Sequence, residues 1–275
     1  MNQPPVTKHN EAQLRGAQLR MLDILLAVDA ICRRHGITYW VDNGTLLGAV
    51  RHGGFIPWDD DMDIAMPMDD YRKFASLAQE ELPERLVFLP ANAGKHTVSR
   101  LPKVVDTESF YVEAGDDLSL PRPRGLYIDI TPFIGFPTHF AALSRKLARG
   151  MSVAHDILHK RHYYTLRSFA EFFYFSGKYV LFRFLWKLLE AGGKGKRVAP
   201  ATNINGYGLS HKRENIFPLG HVDFEGHSLP APADTDGYLT EAYGDWRAVP
   251  PAARRKIHAV YMNTKLDKKP CPPLS

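Results

Sequence analysis

Two acidic residues, Asp61 and Asp63, are separated by one residue in a segment that alternates between polar and apolar side chains. Residues two apart in a strand share a face, so the sequence predicts both carboxylates on one side and Met62, Ile64 and Met66 on the other. Carboxylates roughly 7 Å apart repel each other unless a cation lies between them. Hard oxygen ligands suit Mg²⁺, with Mn²⁺ as a possible substitute. The spacing therefore predicts a metal-phosphate site at Asp61 and Asp63.

A turn of small residues precedes the acidic pair. Gly44 and Thr45 follow the apolar run 37–41, which indicates a short buried strand, and residues 46–50 have the pattern of a first helical turn. Backbone N–H groups and a hydroxyl at a helix N-terminus favour phosphate oxygens. Arg51 would add a bidentate phosphate contact. We expect Gly44, Thr45 and Arg51 to bind the phosphates of a substrate.

The run Asp59-Asp60-Asp61 has other interpretations. A run of acids is usually a solvated loop, but the apolar alternation after it indicates a half-buried strand. An EF-hand is excluded, because its sixth position would be Ile64 rather than Gly and its twelfth Asp70 rather than Glu. Asp59 and Asp60 are expected to shape or extend the site.

The stretch 42–67 resembles the LicD family of phosphotransferases. It reads Gly-Thr-Leu-Leu-Gly-Ala-Val-Arg-His and then Phe-Ile-Pro-Trp-Asp-Asp-Asp-Met-Asp-Ile, which matches the family pattern almost throughout. The resemblance covers residues 14–140 well and 203–258 more loosely, whereas 141–200 carries no motif of the family. It implies the fold of the nucleotidyltransferase superfamily. It also implies transfer of phosphocholine or a similar group from a cytidine diphosphate donor to a cell-surface sugar.

A third acid, Asp129, lies in the apolar strand 126–131. Such an acid is costly to bury without a charged partner, so a structural salt bridge is one interpretation. The resemblance favours the other, because the superfamily carries its third carboxylate on a strand next to the paired acids. Asp129 is then expected to be catalytic, as a ligand of the metal, as the acceptor of the hydroxyl proton, or both.

Two further residues are candidates for substrate binding. Lys103, in the predicted strand 98–105, is expected to approach the donor phosphates, although a cation on a solvated edge is the simpler interpretation. Glu225 lies in the segment 222–230, which resembles a family hairpin near the nucleotide. The resemblance implies a ligand-binding role for Glu225, and a surface acid in a hairpin is the alternative.

The remaining elements complete the predicted fold, an α/β (mixed α+β) arrangement with a nucleotidyltransferase-like mixed sheet flanked by helices. Residues 9–35 have the spacing of an amphipathic helix. The predicted organisation is a catalytic core over 1–140, a helical insertion over 141–200, a part completing the core over 201–263 and a disordered tail over 264–275.

The aromatic helix expected at 169–190, inside the insertion, has two interpretations. It contains Glu171, Lys178, Arg183 and Lys187, too many charges for a bilayer span. Buried packing is the default explanation. Peripheral contact with a membrane interface is the alternative, because aromatic residues with Lys and Arg suit that location.

Composition limits the class of partner and the location. The chain has 275 residues and a formal net charge of +5, which suits an anionic nucleotide, glycan or lipid and is too small to indicate nucleic acid. Cys32 and Cys271 belong to no ligand motif, and the N-terminus has no apolar signal core. We expect a cytoplasmic protein, with a peripheral position at the inner face of the membrane as the alternative.

The predicted reaction is Mg²⁺-dependent transfer of phosphocholine from CDP-choline to a hydroxyl of a glycan or its lipid-linked precursor, with release of CMP. A metal-dependent glycosyltransferase also uses an Asp-x-Asp motif, but usually after a longer nucleotide-binding region than the roughly 60 residues found here. A membrane-associated binding protein without turnover is the second alternative.

Overall fold

The protein is described from a computed structural model. The description covers residues 11–91, 101–114, 116, 118–119, 122–159, 165–192, 195–201, 204–205, 208–255 and 257–265. Two predicted segments lie partly outside these ranges. They are the strand predicted at 98–105, of which residues 98–100 are not described, and the predicted tail, of which residues 266–275 are not described.

Seven α-helices are present in the described part of the chain. They are α1 (Glu11–His35), α2 (Asn43–His52), α3 (Met68–Glu81), α4 (Ala141–His159), α5 (Leu166–Gly192), α6 (Arg213–Ile216) and α7 (Thr235–Tyr243). Helix α1 confirms the helix predicted over 9–35. Helix α2 begins at Asn43, so Gly44 and Thr45 lie inside its first turn rather than before it.

The described strands number eleven. They are β1 (Trp40–Val41), β2 (Asp63–Pro67), β3 (Leu86–Leu89), β4 (Lys103–Asp106), β5 (Phe110–Glu113), β6 (Tyr127–Phe136), β7 (Arg197–Pro200), β8 (His211–Lys212), β9 (Gly220–Phe224), β10 (His227–Ala231) and β11 (Ala259–Asn263). The strand predicted over 37–41 is limited to β1. The predicted strand at 126–131 extends to Phe136, and the hairpin predicted at 222–230 is formed by β9 and β10.

The central sheet is mixed, with the order β1-β2-β6-β4-β3. Strands β2 and β6 are parallel, and β4 pairs with the first half of β6 in the antiparallel direction. The second half of β6 pairs with β7, which in turn pairs with β8. The ten residues of β6 therefore connect both halves of the sheet. This mixed sheet with flanking helices confirms the predicted fold class.

The core explains why these segments form strands and helices. Ile128 and Ile130 of β6, together with Leu126 just before it, are fully buried, as the alternation predicts. Met62, Ile64 and Met66 are also fully buried. Helix α1 packs its apolar side against the sheet, and its Arg20 and the neighbouring Arg85 pair with the buried carboxylate of Asp106. These contacts connect α1 to the end of β4.

A second, smaller core joins the helical hairpin of α4 and α5 to the sheet. It contains Phe136 of β6, Ala199 of β7 and Trp186 of α5, together with Leu147, Ala148 and Met151 of α4. Because β7 lies inside the segment 141–200 and pairs with β6, that segment contributes to the sheet as well as to the hairpin. The division of the chain into domains stays a prediction.

Candidate active site

Three charged residues form a row across neighbouring strands of the central sheet. Asp63 of β2 lies opposite Asp129 of β6, and Lys103 of β4 lies opposite Asp129 on the other side. Residues in register on adjacent strands share a face and lie about 5 Å apart. The Lys103 ammonium is 2.7 Å from Asp129 Oδ1 and 3.4 Å from the centroid of the Tyr127 ring. This strand register therefore places Asp63 and Asp129, two predicted catalytic acids, next to Lys103, the residue predicted to approach the donor phosphates.

Asp61 lies beside this row but outside the strand. The sequence predicted that Asp61 and Asp63 share a face of one strand, and this is wrong in detail because β2 begins at Asp63. The segment before β2 turns toward the C-terminal part of the chain, where Asp61 Oδ2 is 3.5 Å from His258 Nδ1. Asp61 is nevertheless close enough to raise the pKa of Asp63.

The acids repel one another. Burial, followed by the charges of Asp61 and Asp129, raises the pKa of Asp63 well above its ordinary value. Burial also raises the pKa of Asp129 and of Asp61, and Lys103 opposes the shift at Asp129. Asp59 behaves in the same way, because burial and Asp61 raise its pKa. The four acids form an acidic cluster. Among the described residues, the positive charges of Lys103 and His258 do not balance the negative charge of this cluster.

The first turn of α2 borders this cluster. Asp42 caps the helix by accepting a hydrogen bond from the N–H of Asn43. A Cβ atom at Gly44 would lie 2.9 Å from Asp59 Oδ2, so this approach requires glycine or a shift of Asp59. The Thr45 hydroxyl accepts a 2.8 Å hydrogen bond from the N–H of Asp63. Thr45 therefore positions the start of β2, and its contact with phosphate remains a prediction.

Arg51 lies in the last turn of α2, at the opposite end of the helix from Gly44. Its guanidinium donates a 3.2 Å hydrogen bond to the carbonyl of Trp246. Burial lowers the pKa of Arg51, and the charge of Asp59 opposes that shift. Arg51 thus borders the cluster through Asp59, and no described contact tests its predicted role in phosphate binding.

Glu225 occupies a different environment. It lies at the turn of the β9–β10 hairpin, with φ of 53°, and Gly226 follows with φ of 79°. Its carboxylate accepts hydrogen bonds of 2.8 and 2.6 Å from Arg15 and one of 3.1 Å from the N–H of Phe55. These contacts connect the hairpin to α1 and to the loop after α2. They favour a structural role, and the predicted ligand-binding role gains no support from them.

Comparison with known proteins identifies the family. The model of the LicD/FKTN/FKRP family, described as a nucleotidyltransferase domain, matches residues 36–186, which is more than half of the chain. The chain belongs to this family. The recognition of LicD from the sequence is confirmed, and with it the expectation of a phosphotransferase enzyme. The match extends into 141–186, where no family motif was recognised.

Two relatives of this LicD-family chain are informative. The lipopolysaccharide cholinephosphotransferase LicD of Haemophilus influenzae is 27% identical over 271 residues, which cover 90% of this chain and 96% of that protein. The ribitol 5-phosphate transferase FKRP of human and mouse is 51% identical over 35 residues, only 13% of this chain and 7% of FKRP. The first similarity spans nearly the whole chain, and the second is local.

His258 lies next to Asp60 and Asp61 of this LicD-family chain, and no pattern in the sequence indicated this contact. Asp60, which is 1% exposed, accepts hydrogen bonds from the N–H groups of His258 and Ala259 and from the Tyr111 hydroxyl. Asp60 also accepts a hydrogen bond from the His258 ring, which raises the pKa of His258 to about 9. Asp60 therefore anchors the chain before β11 beside Asp61. No local pattern reveals this, because 198 residues separate Asp60 from His258.

Tyr243, at the end of α7, is a second unexpected neighbour. Burial, followed by the charges of Asp42 and Asp63, raises the pKa of the Tyr243 hydroxyl. The same helix is fixed to the site by Tyr238, whose hydroxyl donates a 2.6 Å hydrogen bond to Asp42. Tyr243 thus borders the acidic cluster.

The donor set suits a hard divalent cation, since buried carboxylates that repel one another are stabilised by one. Within the described ranges, however, no group of three or more His, Cys, Asp or Glu side chains is arranged to hold a metal ion. Mg²⁺ commonly uses one or two protein carboxylates and completes its shell with water and substrate phosphates. The residues present fit that mode, and the predicted three-carboxylate site remains a prediction.

Proposed function

We propose that this LicD-family enzyme transfers a phospho-alcohol group, with phosphocholine from CDP-choline as the first candidate, to a hydroxyl of a cell-surface glycan or its lipid-linked precursor. The observation that carries the proposal is the row of Asp63, Asp129 and Lys103, with Asp61 beside it. The choice of donor follows the similarity to the cholinephosphotransferase LicD along 96% of that protein.

Asp61 and Asp63 are the residues that would hold Mg²⁺, or Mn²⁺ as a substitute, with Asp129 as a third candidate ligand. When bound, the cation neutralises charge on the donor diphosphate. Holding both acids ionised without a cation is unfavourable, because burial and mutual repulsion raise their pKa values. A divalent ion and an anionic donor would therefore bind to the acidic cluster together.

The chain's own residues have separate tasks in this proposal. Gly44 allows the backbone of α2 to approach the site closely, while Arg51 and Lys103 provide positive charge for the phosphates. Asp129 accepts the proton of the acceptor hydroxyl. The hydroxyl oxygen forms a bond to the β-phosphorus, the bond from that phosphorus to the bridging oxygen breaks, and CMP leaves with that oxygen.

We also propose a location on the cytoplasmic side of the membrane, where a lipid-linked glycan precursor would be accessible. Among the described residues, no helix has both the length and the apolar character that a membrane span requires. The proposed attachment is peripheral, because aromatic residues with Lys and Arg in α5 suit a membrane interface.

The experiment incubates the purified protein and Mg²⁺ with CDP-choline, other CDP-alcohols and UDP-sugars, together with a lipopolysaccharide or glycolipid acceptor. Mass spectrometry then identifies the transferred group, and chromatography measures CMP. Asp61→Asn and Asp63→Asn should each reduce CMP release by at least about 10³-fold, as expected for loss of a metal ligand. Asp69→Asn is the matched control, because the Asp69 side chain is 93% exposed.

Unchanged CMP release in either Asn variant would contradict the site assignment. Transfer of a sugar from a UDP-sugar, without turnover of any CDP-alcohol, would support the glycosyltransferase instead. Binding of CDP-choline by calorimetry with no product for any acceptor would favour the binding protein.

A further inference from the structure

A row of large apolar side chains lies on the outer face of α5. The row, named here the apolar ridge, has members three, four or seven residues apart that are each 56–92% exposed. The apolar ridge consists of Leu166, Phe169, Phe173, Val180, Phe184 and Leu188. This spacing places all six on one side of the helix. The default interpretation of the aromatic helix, buried packing, is therefore wrong for this face.

The opposite side of α5 is fixed to the protein. Trp186 is 4% exposed and stacks edge-on against Phe136 of β6, with ring centroids 5.5 Å apart. Phe182 packs against α4 at Gly150, where a Cβ atom would lie 2.1 Å from its ring. Both faces of the helix are thus apolar, and only one of them contacts the rest of the described chain.

The size of the apolar ridge calls for a partner. From Leu166 to Leu188 the ridge extends over about 33 Å, at 1.5 Å per residue. Isolated exposed apolar residues are ordinary, but six large ones on one side of a single helix are not, and such a grouping marks an interaction surface. At least the six ridge side chains would leave water on binding.

The charges beside the apolar ridge indicate the kind of partner. Arg183 and Lys187 lie along one side of it and line a cavity of about 770 Å³ that also contains Arg213. An adjacent cavity of about 710 Å³ shares Arg213 and is lined by Lys196, Arg197 and Lys212, with Glu214 as its acid. Asp69, Asp70 and Glu190 line the first cavity too. Cations predominate, and a surface with phosphate groups complements them.

We propose that α5 lies in the interface of a membrane that contains anionic lipid, with the apolar ridge at the acyl boundary and Arg183 and Lys187 among the headgroup phosphates. An amphipathic helix with aromatic residues and flanking cations is typical of this location. A second copy of the chain is the weaker candidate. An isologous contact presents the same surface on both copies, so the net positive flank of the ridge would meet a surface of the same net charge instead of an anionic one.

The experiment is cosedimentation of the full chain with vesicles of phosphatidylcholine alone or with 30% phosphatidylglycerol, at low and high salt. Wild-type protein should bind the anionic vesicles and lose most of that binding at high salt. The double variant Phe173→Ser with Phe184→Ser should bind at least about tenfold less, because two large apolar side chains no longer enter the membrane. Circular dichroism verifies its helix content.

Two further variants make the comparison specific. The matched control is Leu19→Ser with Val249→Ser, which removes apolar residues that are 45% and 51% exposed away from α5, and it should bind as wild type does. Arg183→Gln with Lys187→Gln should weaken binding to anionic vesicles by roughly fivefold for each charge removed. If the double Phe variant fails to fold, Leu166→Ser at the most exposed ridge position replaces it.

Wild-type protein that stays in the supernatant with anionic vesicles would overturn the proposal, as would a ridge variant that binds as well as wild type. A wild-type dimer in analytical ultracentrifugation that the ridge variant converts to a monomer, without vesicle binding, would assign the ridge to a second copy instead. Vesicle binding requires no turnover, so its outcome is independent of the proposed transfer reaction.

Discussion

Lys103 and Asp129 lie directly opposite each other on β4 and β6, with the ammonium 2.7 Å from Asp129 Oδ1. The pair excludes one interpretation of Lys103 that the sequence left open. Lys103 is not a cation on a solvated edge, and Asp129 has the charged partner that a buried acid needs. It does not decide between a structural salt bridge and a catalytic group, because Asp129 also faces Asp63.

Replacing Lys103 tests which of these roles the pair has. Lys103→Met removes the charge that opposes the raised pKa of Asp129, so less of this acid is ionised at neutral pH. We expect CMP release to fall at least about tenfold, because the variant loses both ionised base and a positive charge for the donor phosphates. Lys103→Arg retains the charge and should recover part of the rate. If Lys103→Met released CMP as fast as wild type, the pair would have a structural role only.

Replacing Asp63 should separate stability from activity. The charges of Asp61 and Asp129 raise the pKa of Asp63, so Asp63→Asn removes repulsion in the metal-free protein. We expect thermal unfolding without metal to occur at the same temperature as in wild type or higher, while CMP release is lost. Addition of Mg²⁺ should raise the unfolding temperature of wild type more than that of the variant, because a ligand stabilises only the state that binds it. A destabilised variant that still responds to Mg²⁺ would contradict this assignment.

The Thr45 hydroxyl should be required for the position of Asp63 whether or not it contacts phosphate. Thr45→Val leaves the N–H of Asp63 without the acceptor that it has 2.8 Å away, at a cost of about 1–3 kcal/mol in the free energy of unfolding. Thr45→Ser retains the oxygen and should cost less. Urea denaturation measures both variants. A Val variant as stable as the Ser variant would show that this hydrogen bond contributes nothing.

The sequence predicted the geometry near Asp63 and Asp129 because it depends on local patterns. Alternation in each segment places Asp63 and Asp129 on a face of a strand, and the family resemblance implied that the strand of Asp129 lies next to the paired acids. His258 could not be found in this way, since its position depends on the pairing of β11 with β5, with a register shift between Ala259 and Tyr261. The orientation of α5 was equally inaccessible. Phe182 and Phe184 are both apolar, and only the packing on α4 shows which of them faces inward.

Asp60 should be a structural anchor, distinct from its neighbour Asp61. It accepts hydrogen bonds from Tyr111, from the backbone of His258 and Ala259, and from the His258 ring. Asp60→Asn replaces one acceptor oxygen with a donor and should lower the free energy of unfolding by about 2–3 kcal/mol.

Tyr111→Phe is the matched control for Asp60, because it removes a single one of these hydrogen bonds, and it should cost about 1 kcal/mol. Urea denaturation measures both. If Asp60→Asn unfolds at the wild-type urea concentration, the chain before β11 is held by other contacts.

Glu225 should stabilise the fold in a pH-dependent way if its contacts are structural. Its hydrogen bonds with Arg15 lower its pKa from the ordinary 4.5. A depressed pKa in the folded state gives stability that is complete above the pKa of the unfolded chain and is lost as the pH falls through the folded value. The difference in unfolding free energy between wild type and Glu225→Gln should therefore be constant near neutral pH and shrink below about pH 4.5.

Urea denaturation across this pH range measures the difference between wild type and Glu225→Gln, and the KM for CDP-choline should not change in the variant. A raised KM with unchanged stability would instead support the ligand-binding role that the family hairpin implied.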